Sequence, residues 1–350
     1  MAKIREATRS DNDGLLALTA TTPMRGEISI RSDRDPDFFR LLDRRGPSHV
    51  LVAEEGGRIV GCVSAARVPA LVGGEVETVH YLGDLKVHPE HRGTGLAFRL
   101  LKAIHGVLLA AGADLVVCTA AHGNSDVLTF FDGRAGLPSA VPLGVFHVYQ
   151  LLPSRWCRAA PGYEVSEVPG DADLCSFYSS HVRRYEFGPV FTPGSLEGAR
   201  HLVARHGGTI RAALSLVDTW DARQNVLIRM PWSLGAVVGA LRLLQRVVPI
   251  AHVPGLGEPI RTLYVKALAC VDGDDGAVGA LLGQARKTAF AGSYHFVAAG
   301  VHEKDPSRRW FADVPKITFK SRAFVLGLRR GREQLLRLAE GVPYEDYSLV

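Results

Sequence analysis

The chain has 350 residues, of which 47% are hydrophobic and 22% charged, and its formal net charge is +5. This balance is typical of a globular protein and excludes a disordered chain, and the length fits about two domains. The mild positive charge suits an anionic ligand, but the sequence has no zinc-finger spacing, no interleaved basic and aromatic groove and no long basic run, so no nucleic-acid partner is predicted.

The cysteines are scattered and odd in number, and none has C-x-x-C spacing. They are Cys62, Cys118, Cys157, Cys175 and Cys270. This usage predicts reduced thiols in a cytoplasmic protein, with neither a disulfide framework nor a metal site. Residues 1–5 begin a strand pattern and lack the apolar region of a signal peptide, so neither a targeting segment nor a membrane span is predicted.

The first half of the chain alternates strand and helix patterns. Strands are predicted over residues 3–8, 50–54, 59–67, 76–87, 115–119 and 145–151, and helices over 14–19, from Pro36 and from Leu96. The Glu-Gly-Gly-Arg stretch at 55–58 is a hairpin signal between two of these strands. The strand over 115–119 is expected to lie parallel to the one over 76–87, and the strand over 145–151 is expected to close the first sheet.

The stretch from Val87 to Ala97 reads Val-His-Pro-Glu-His-Arg-Gly-Thr-Gly-Leu-Ala and connects a strand to a helix. The start of a helix exposes unpaired N–H groups and the positive end of the helix dipole, which together favour an anion. Gly93 and Gly95 have no Cβ, so a bulky diphosphate can approach the main chain closely. The pattern therefore indicates a phosphate-binding loop.

Two interpretations of this loop stay open on physical grounds. It lacks the Lys-Ser/Thr ending of a P-loop, since Leu96 and Ala97 stand there, and it lacks the three-glycine dinucleotide fingerprint. A tight turn that only feeds a core helix would have the same composition.

Residues 92–97, Arg-Gly-Thr-Gly-Leu-Ala, resemble the Arg/Gln-x-x-Gly-x-Gly/Ala signature of the GNAT superfamily of acyl-CoA-dependent N-acyltransferases. The resemblance covers roughly residues 3–150. It implies an α/β fold with a mixed, mostly antiparallel sheet, a splayed parallel strand pair and flanking helices. It also implies that the loop amides hold the pyrophosphate of CoA, while the pantetheine arm enters the split between the strands.

Residues 124–137 are similar to a second family signature, in which an Asn caps a helix and an aromatic pair follows one turn later. Here one extra residue precedes the final Gly, and Leu replaces the usual Phe. In the family a Tyr of this helix protonates the leaving thiolate, but Phe130 and Phe131 occupy that turn. Either another group such as Tyr149 donates or the thiolate leaves without a donor. The CoA-binding residues implied by the resemblance are Leu85, Lys86, Val87, Arg92, Gly93, Thr94, Gly95, Leu96, Ala97, Asn124, Phe130 and Phe131.

The second half repeats the order of element types. Strands are predicted over residues 163–168, 210–217, 225–230, 263–271 and 294–301, a terminal strand or hairpin over 316–328, and helices from Asp171 and over 276–290. The repeat predicts two tandem GNAT-like domains, residues 1–153 and 163–350, joined by a linker over 154–162. The strands over 210–217 and 225–230 are expected to form a hairpin.

The second half departs from the pattern where a pyrophosphate loop belongs. Residues 271–277 read Val-Asp-Gly-Asp-Asp-Gly-Ala, and like charges about 5 Å apart cost roughly 1–3 kcal/mol. Only the first half is therefore predicted to bind CoA. The apolar run over 233–248 is too short and too charged to span a bilayer; it is interpreted as a core or interdomain helix, or alternatively as a lid over an acyl chain or a membrane-surface helix.

Amide formation from a thioester needs a neutral amine, and deprotonating a lysine-like amine at pH 7 costs about 4.6 kcal/mol. A carboxylate or histidine lowers this cost. The candidates are Glu77, His80 and Asp84 on the strand before the loop, with His122 as a further possibility. Strand alternation puts His80 and Asp84 on one face and Glu77 on the other. Asp84 is preferred, although a plain hydrogen-bond acceptor near the strand end would explain it equally.

These observations predict an enzyme, with acetyl-CoA or another acyl-CoA as co-substrate and no metal. It would transfer a short acyl group to an amine of a small molecule or peptide, by direct attack in a ternary complex. Transfer to a thiol or hydroxyl, and a non-catalytic CoA-binding protein, are the alternatives. A monomer or homodimer is expected.

Overall fold

The computed structural model describes residues 2–24, 28–124, 130, 133, 137–157, 160–245, 247 and 251–350. The strands of the first half are β1 Lys3–Glu6, β2 Ser29–Asp33, β3 Ser48–Glu55, β4 Arg58–Val72, β5 Glu75–Val87, β6 Leu115–Ala121 and β7 Val141–Leu151. Those that follow are β8 Glu164–Val168, β9 Tyr185–Glu186, β10 Gly188–Pro189, β11 Arg200–His206, β12 Thr209–Asp218, β13 Gln224–Arg229, β14 Pro259–Ile260, β15 Thr262–Cys270, β16 Phe296–His302, β17 Lys316–Gly327 and β18 Val342–Pro343.

The α-helices in the described ranges are α1 Asn12–Thr21, α2 Arg40–Arg45, α3 Leu96–Ala110, α4 Ala172–Val182, α5 Pro193–Leu196, α6 Trp232–Leu244, α7 Asp275–Ala291 and α8 Arg332–Glu340. Short 3-10 helices cover Arg9–Asp11, Pro89–His91 and Pro306–Phe311. The helices predicted near residue 14, after Pro36, from Leu96, from Asp171 and over 276–290 are therefore present.

One mixed sheet contains 13 of the strands in the described part of the chain. Its order is β1-β3-β4-β5-β6-β17-β7-β16-β15-β12-β11-β8, and β10 pairs with the outer part of β4. The pairs β5/β6 and β15/β16 are parallel, and the other neighbours in this sheet are antiparallel. This is the mixed, mostly antiparallel α/β sheet that the sequence predicted.

Both faces of the first half of the sheet are covered because its central strands are apolar on both sides. In β3, Leu51 and Ala53 pack with α3, whereas Val50 and Val52 pack with α1 and the residues around α2. The alternation follows from the two-residue period of a strand. Helix α3 buries one apolar face; its buried residues are Leu96, Leu100, Leu101, Ile104 and Leu108.

The two halves of the sequence exchange strands at the centre of the sheet. The prediction that the strand over 145–151 closes the first sheet is wrong, because β7 lies between β17 and β16, both from the second half. Strand β17 instead pairs with β6, with Ser321 opposite Ala121. β7 and β16 are largely apolar and β17 is apolar over residues 323–326, so composition does not specify which neighbour each strand takes. The division into residues 1–153 and 163–350 stays a prediction.

Two further predictions for the second half are wrong. β12 and β13 do not form a hairpin: β12 pairs with β11 and β15, and β13 pairs with β2 and β14 in a separate three-stranded sheet. The run over 233–248 forms α6, in which Val238 alone is buried and Trp232 is 88% exposed, so the interpretation as a core helix is wrong. The interpretations as an interdomain helix, a lid or a membrane-surface helix stay predictions. Among the helices that the structure describes, none has the length and apolarity needed to cross a membrane.

Candidate acyl-CoA site

The parallel strands β5 and β6 separate part-way along their length. Their pairing runs from Val79 opposite Leu115 to Tyr81 opposite Val117 and then stops. Strand β5 continues to Val87 along β4, and β6 continues to Ala121 along β17. The facing edges of the two strands therefore diverge, which leaves main-chain groups of β5 available to a ligand that enters the split.

The glycine loop lies at the end of the diverging β5. Gly93 and Gly95 have φ of 77° and 76°, a left-handed conformation that side-chain-bearing residues adopt at a cost. A Cβ at either position would meet nothing within 4 Å. Gly95 is the N-cap of α3 and supplies no side chain to cap it. The first amides of this 15-residue helix therefore have no side-chain cap, and the space beside Gly93 and Gly95 is open, as an anion site requires.

A cavity of about 930 Å³ joins the strand split to this loop. Its wall includes residues 82–87 of β5, residues 118–121 of β6 and residues 318–321 of β17. Of the CoA-binding residues named from the sequence, Leu85, Lys86, Val87, Arg92, Gly93, Gly95, Leu96, Ala97, Asn124 and Phe130 line the cavity. Thr94 is not among the lining residues, and its hydroxyl donates to the carbonyl of His91 at 2.7 Å. Phe131 lies outside the described residues, as does most of the predicted helix after Asn124.

Asp84 lies at a bulge of β5, where Val63 of β4 faces two residues of β5 rather than one. Its φ is 51°, and its carboxylate accepts hydrogen bonds from Arg34 at 2.7 Å and from Ser64 at 2.8 Å. The side chains of Arg34 and Asp84 are only 9% and 8% exposed. Burial opposes ionisation of Asp84, but Arg34, Lys86 and the Ser64 hydroxyl outweigh it, so its pKa lies below the usual value. Asp84 is thus an ionised carboxylate that is already paired.

Two other residues of β5 contribute functional groups to the cavity. Lys86 lines it, and burial lowers the pKa of its ammonium against the opposing effect of Asp84. No hydrogen bond or ion pair of the Lys86 ammonium is found within the described ranges. Tyr81 lies at the last paired position, with its hydroxyl 2.7 Å from that of Thr119. Burial raises the pKa of Tyr81, so the phenol keeps its proton at neutral pH.

The remaining predicted catalytic residues do not line the cavity. Glu77 forms an ion pair with Arg330, whose Nε also donates to Asp114 at 2.7 Å. His80 is 6% exposed, and burial lowers its pKa. Tyr149 stacks on Phe311 at 5.1 Å in the core of the second half. The placement of Glu77, His80 and Tyr149 does not support the predicted roles, whereas Asp84 and His122 do line the cavity.

The second parallel pair is closed where the first is open. β15 and β16 pair from Thr262 opposite Phe296 to Tyr264 opposite Ala298 and then diverge in the same way. The hydroxyl of Tyr344 donates to the carbonyl of Lys266 at 2.6 Å, and Tyr347 lies so close to Gly300 that a Cβ there would be 2.0 Å from its ring. These two rings therefore fill the second split.

The helix start beside this second pair already has an anion. The carboxylate of Asp274 accepts from the amide of Ala277 at 3.2 Å and from Nε of Arg211 at 2.6 Å. It therefore occupies the position that a phosphate would need at the start of α7. Both observations support the prediction that only the first half binds CoA.

Sequence reasoning missed a group of buried charged side chains around the cavity. They are Arg34, Arg45, Arg223 and Glu345. Each lies in a segment without a recognisable motif, and their proximity arises only when residues 344–350 fold back against the cavity. Within the described residues, no group of three or more metal-ligating side chains is found, and all five cysteines are free.

Comparisons with known proteins agree with this geometry. Residues 17–136 match the model of the acetyltransferase (GNAT) family. A curated relative, the acetyl transferase GW6a of Oryza sativa subsp. japonica, is 27% identical over 239 residues, which cover 62% of this chain and 55% of the relative. The chain thus spans about half the length of that relative.

Solved structures with the same fold include N-myristoyltransferase of Saccharomyces cerevisiae with bound myristoyl-CoA, at a TM-score of 0.61 and 13% identity over 93% of this chain and 78% of that chain. A GCN5-related N-acetyltransferase from Anabaena variabilis matches at a TM-score of 0.52 and 11% identity, over 93% of this chain and 72% of that chain.

The chain therefore shares the fold of these solved acyltransferase structures. The match of residues 17–136 to the GNAT acetyltransferase family model agrees with the resemblance that the loop signature carries.

Proposed function

We propose that this chain binds acyl-CoA in its first half and transfers a short acyl group, with acetyl as the first choice, to an amine. The diphosphate would lie on the amides at the start of α3, and the pantetheine arm would pair with the free edge of β5. One observation carries the proposal: an open, glycine-bearing helix start adjoins the place where two parallel strands separate, and one cavity joins the two.

In the proposed reaction the neutral amine nitrogen attacks the thioester carbonyl carbon. The new N–C bond forms, the C–S bond breaks, the amine gives up one proton and the leaving CoA thiolate takes one up. Tyr81 is the proposed hydrogen-bond and proton donor to the thiolate, because its protonated hydroxyl lines the cavity where the strands separate.

Lys86 is the proposed proton acceptor. Asp84 is held by Arg34 and its pKa is depressed, so it is a weak base, whereas burial lowers the pKa of Lys86 toward the range that suits a general base. A Lys86→Met variant should lower kcat and remove the rise of kcat with pH. An unchanged pH profile would assign proton removal to another group.

The CoA site is tested by calorimetry on two matched variants. Gly95→Glu and Gly57→Glu replace glycines of nearly equal φ, 76° and 75°, each with open space at the Cβ, so their backbone strain is comparable. A carboxylate about 5 Å from a diphosphate charge costs about 3 kcal/mol at an effective dielectric of 20. Gly95→Glu should therefore weaken acetyl-CoA binding about 100-fold, while Gly57→Glu, in the β3–β4 turn, should bind normally. Equal affinities for the two variants would refute the site.

The transfer step is tested by following release of the CoA thiol with a panel of amines, thiols and alcohols. Turnover that depends on an amine supports the proposal. Tight acetyl-CoA binding without turnover on any acceptor would instead favour a non-catalytic CoA-binding protein. This alternative arises because Phe130 and Phe131 stand where the family has the Tyr that protonates the thiolate.

A further inference from the structure

The cavity wall carries more positive charge than the proposed CoA site accounts for. Its charged side chains include Arg34, Arg45, Lys86, Arg92, Arg223 and Lys320 but a single acidic one, that of Asp84. Arg92 belongs to the diphosphate loop, Arg34 is neutralised by Asp84, Lys86 is the proposed base, and Lys320 is exposed. Arg45 and Arg223 remain, both held by the 344–350 segment at a distance in sequence from the glycine loop.

Arg223 is buried without a carboxylate partner in the part of the chain that the structure describes. It is 4% exposed, and its Nη2 donates to the carbonyls of Tyr347 and Ser348 at 3.1 and 3.2 Å. Its Nε has no hydrogen-bond partner. Its guanidinium lies 4.9 Å from the ring of Tyr264, which also lines the cavity. A buried guanidinium that lacks an anion is costly to fold, so its place in a cavity wall indicates an anionic ligand.

Arg45 adds a second incompletely paired guanidinium to the same wall. It lies 3.5 Å over the ring of Tyr81, and its Nη1 donates to Glu345 at 3.2 Å, while its Nη2 has no partner. Burial raises the pKa of Glu345 to about 7, so this carboxyl is only partly ionised at neutral pH. Arg45 therefore keeps part of its charge available to the cavity.

Resting on the function proposed above, we infer that the acceptor is a small amine that also carries a carboxylate, such as a free amino acid, and that Arg223 binds this carboxylate with Arg45 nearby. A guanidinium offers a planar fork of donors that matches both oxygens of a carboxylate. Binding would supply the anion that Arg223 lacks, while the amine end extends toward the strand split. The alternative is that Arg223 only ties residues 347 and 348 to the fold.

The experiment compares matched acceptors: each amino acid against its carboxamide, which keeps the amine and the side chain but removes the negative charge. Thiol release is measured with saturating acetyl-CoA. A charge-assisted pair discriminates by about 10- to 100-fold, so kcat/KM should favour the acid by that factor, mostly through KM. Equal kcat/KM for acids and amides would overturn the inference while leaving the proposed acyl transfer intact.

Variants separate recognition from a structural role. Arg223→Met should abolish the preference for the acid, and Arg223→Lys, which keeps the charge but loses the fork, should retain part of it. Arg286→Met is the matched control, because Arg286 also binds a main-chain carbonyl, that of Leu152 at 2.7 Å, but does not line the cavity. It should keep the full preference. A preference that survives Arg223→Met in folded protein would contradict the assignment.

A binding measurement covers the case in which no acceptor is turned over. With CoA present, amino acids should raise the melting temperature of the wild-type protein, whereas their amides should not, and Arg223→Lys should reduce this difference. If no acceptor is turned over but acids alone raise the melting temperature, acyl transfer is refuted and the carboxylate site stands. Absence of both would refute the carboxylate site as well.

Discussion

The Arg34–Asp84 pair allows a prediction that separates a structural carboxylate from a catalytic one. We consider Asp84→Asn, which preserves the shape of the side chain and suits the left-handed conformation at φ 51°, because Asn tolerates that region better than most residues. The change leaves the Arg34 guanidinium, whose side chain is 9% exposed, without its anion.

The expected cost follows from that burial. Exposed ion pairs contribute about 0–1 kcal/mol, but removing one partner of a buried pair costs about 3–5 kcal/mol, because the other charge stays buried and unpaired. Urea unfolding should therefore show a loss of this size for Asp84→Asn and for Arg34→Met, and a smaller loss for the double variant than for the sum of the two. The exposed Arg9–Asp43 pair, at 2.8 Å, is the control, and Asp43→Asn should cost under about 1 kcal/mol.

The pH dependence has a definite sign. The folded pKa of Asp84 lies below its ordinary value of 3.8, so the stabilisation is complete above about pH 4 and is lost as the pH falls through the folded pKa. The difference between wild type and Asp84→Asn should therefore shrink in acid. The second measurement is thiol release by Asp84→Asn under conditions in which the variant is fully folded. Loss of a general base lowers kcat about 100-fold or more, whereas we expect loss of a structural carboxylate to lower it less than about 10-fold. A stability loss under 1 kcal/mol, or a 100-fold fall in kcat of folded protein, would refute the reasoning.

Three further predictions concern other parts of the site. Tyr81→Phe should lower kcat about 100-fold with little change in acetyl-CoA affinity, since only the leaving thiolate loses a donor; a kcat within threefold of wild type would exclude Tyr81. Calorimetry should give one CoA per chain, and Asp274→Asn, which weakens the cap of α7 by about 1 kcal/mol, should leave that stoichiometry unchanged; two sites would contradict the closed second split. Burial raises the pKa of Glu345 to about 7, so its contribution to folding stability is complete below about pH 4.5 and is lost as the pH rises through 7. Between these pH values the free energy of unfolding of the wild type should fall by up to about 3 kcal/mol relative to that of Glu345→Gln. Parallel curves of stability against pH for the two proteins would disprove this.

The sequence predicted best those features that depend on local pattern. The glycine loop, the 3.6-residue period of α3, the hairpin at 55–58 and the parallel relation of β5 to β6 all follow from neighbouring residues. These local features are also the ones on which the proposed CoA loop rests.

Features that depend on distant contacts could not be derived in this way. Nothing in the composition of β7 and β17 indicates that they exchange places, because strand pairing is made by main-chain groups that every strand offers. Arg34, Arg45 and Arg223 lie in different segments, and they meet only through the cavity. No sequence motif therefore indicates the positive charge that these three residues bring to the cavity wall.

The exchange of β7 and β17 has a consequence for how the chain reaches its final form. The strand that completes one side of the proposed CoA cleft, β17, follows β6 by roughly 200 residues, and closing so long a loop costs conformational entropy before any contact repays it. A ribosome-bound chain that has emerged only through residue 153 still leaves the edge of β6 bare and β7 without either neighbour. The ability to bind ligand should therefore appear in one step after β17 has been synthesised. Until then the unpaired strand edges are prone to aggregation and need protection by chaperones.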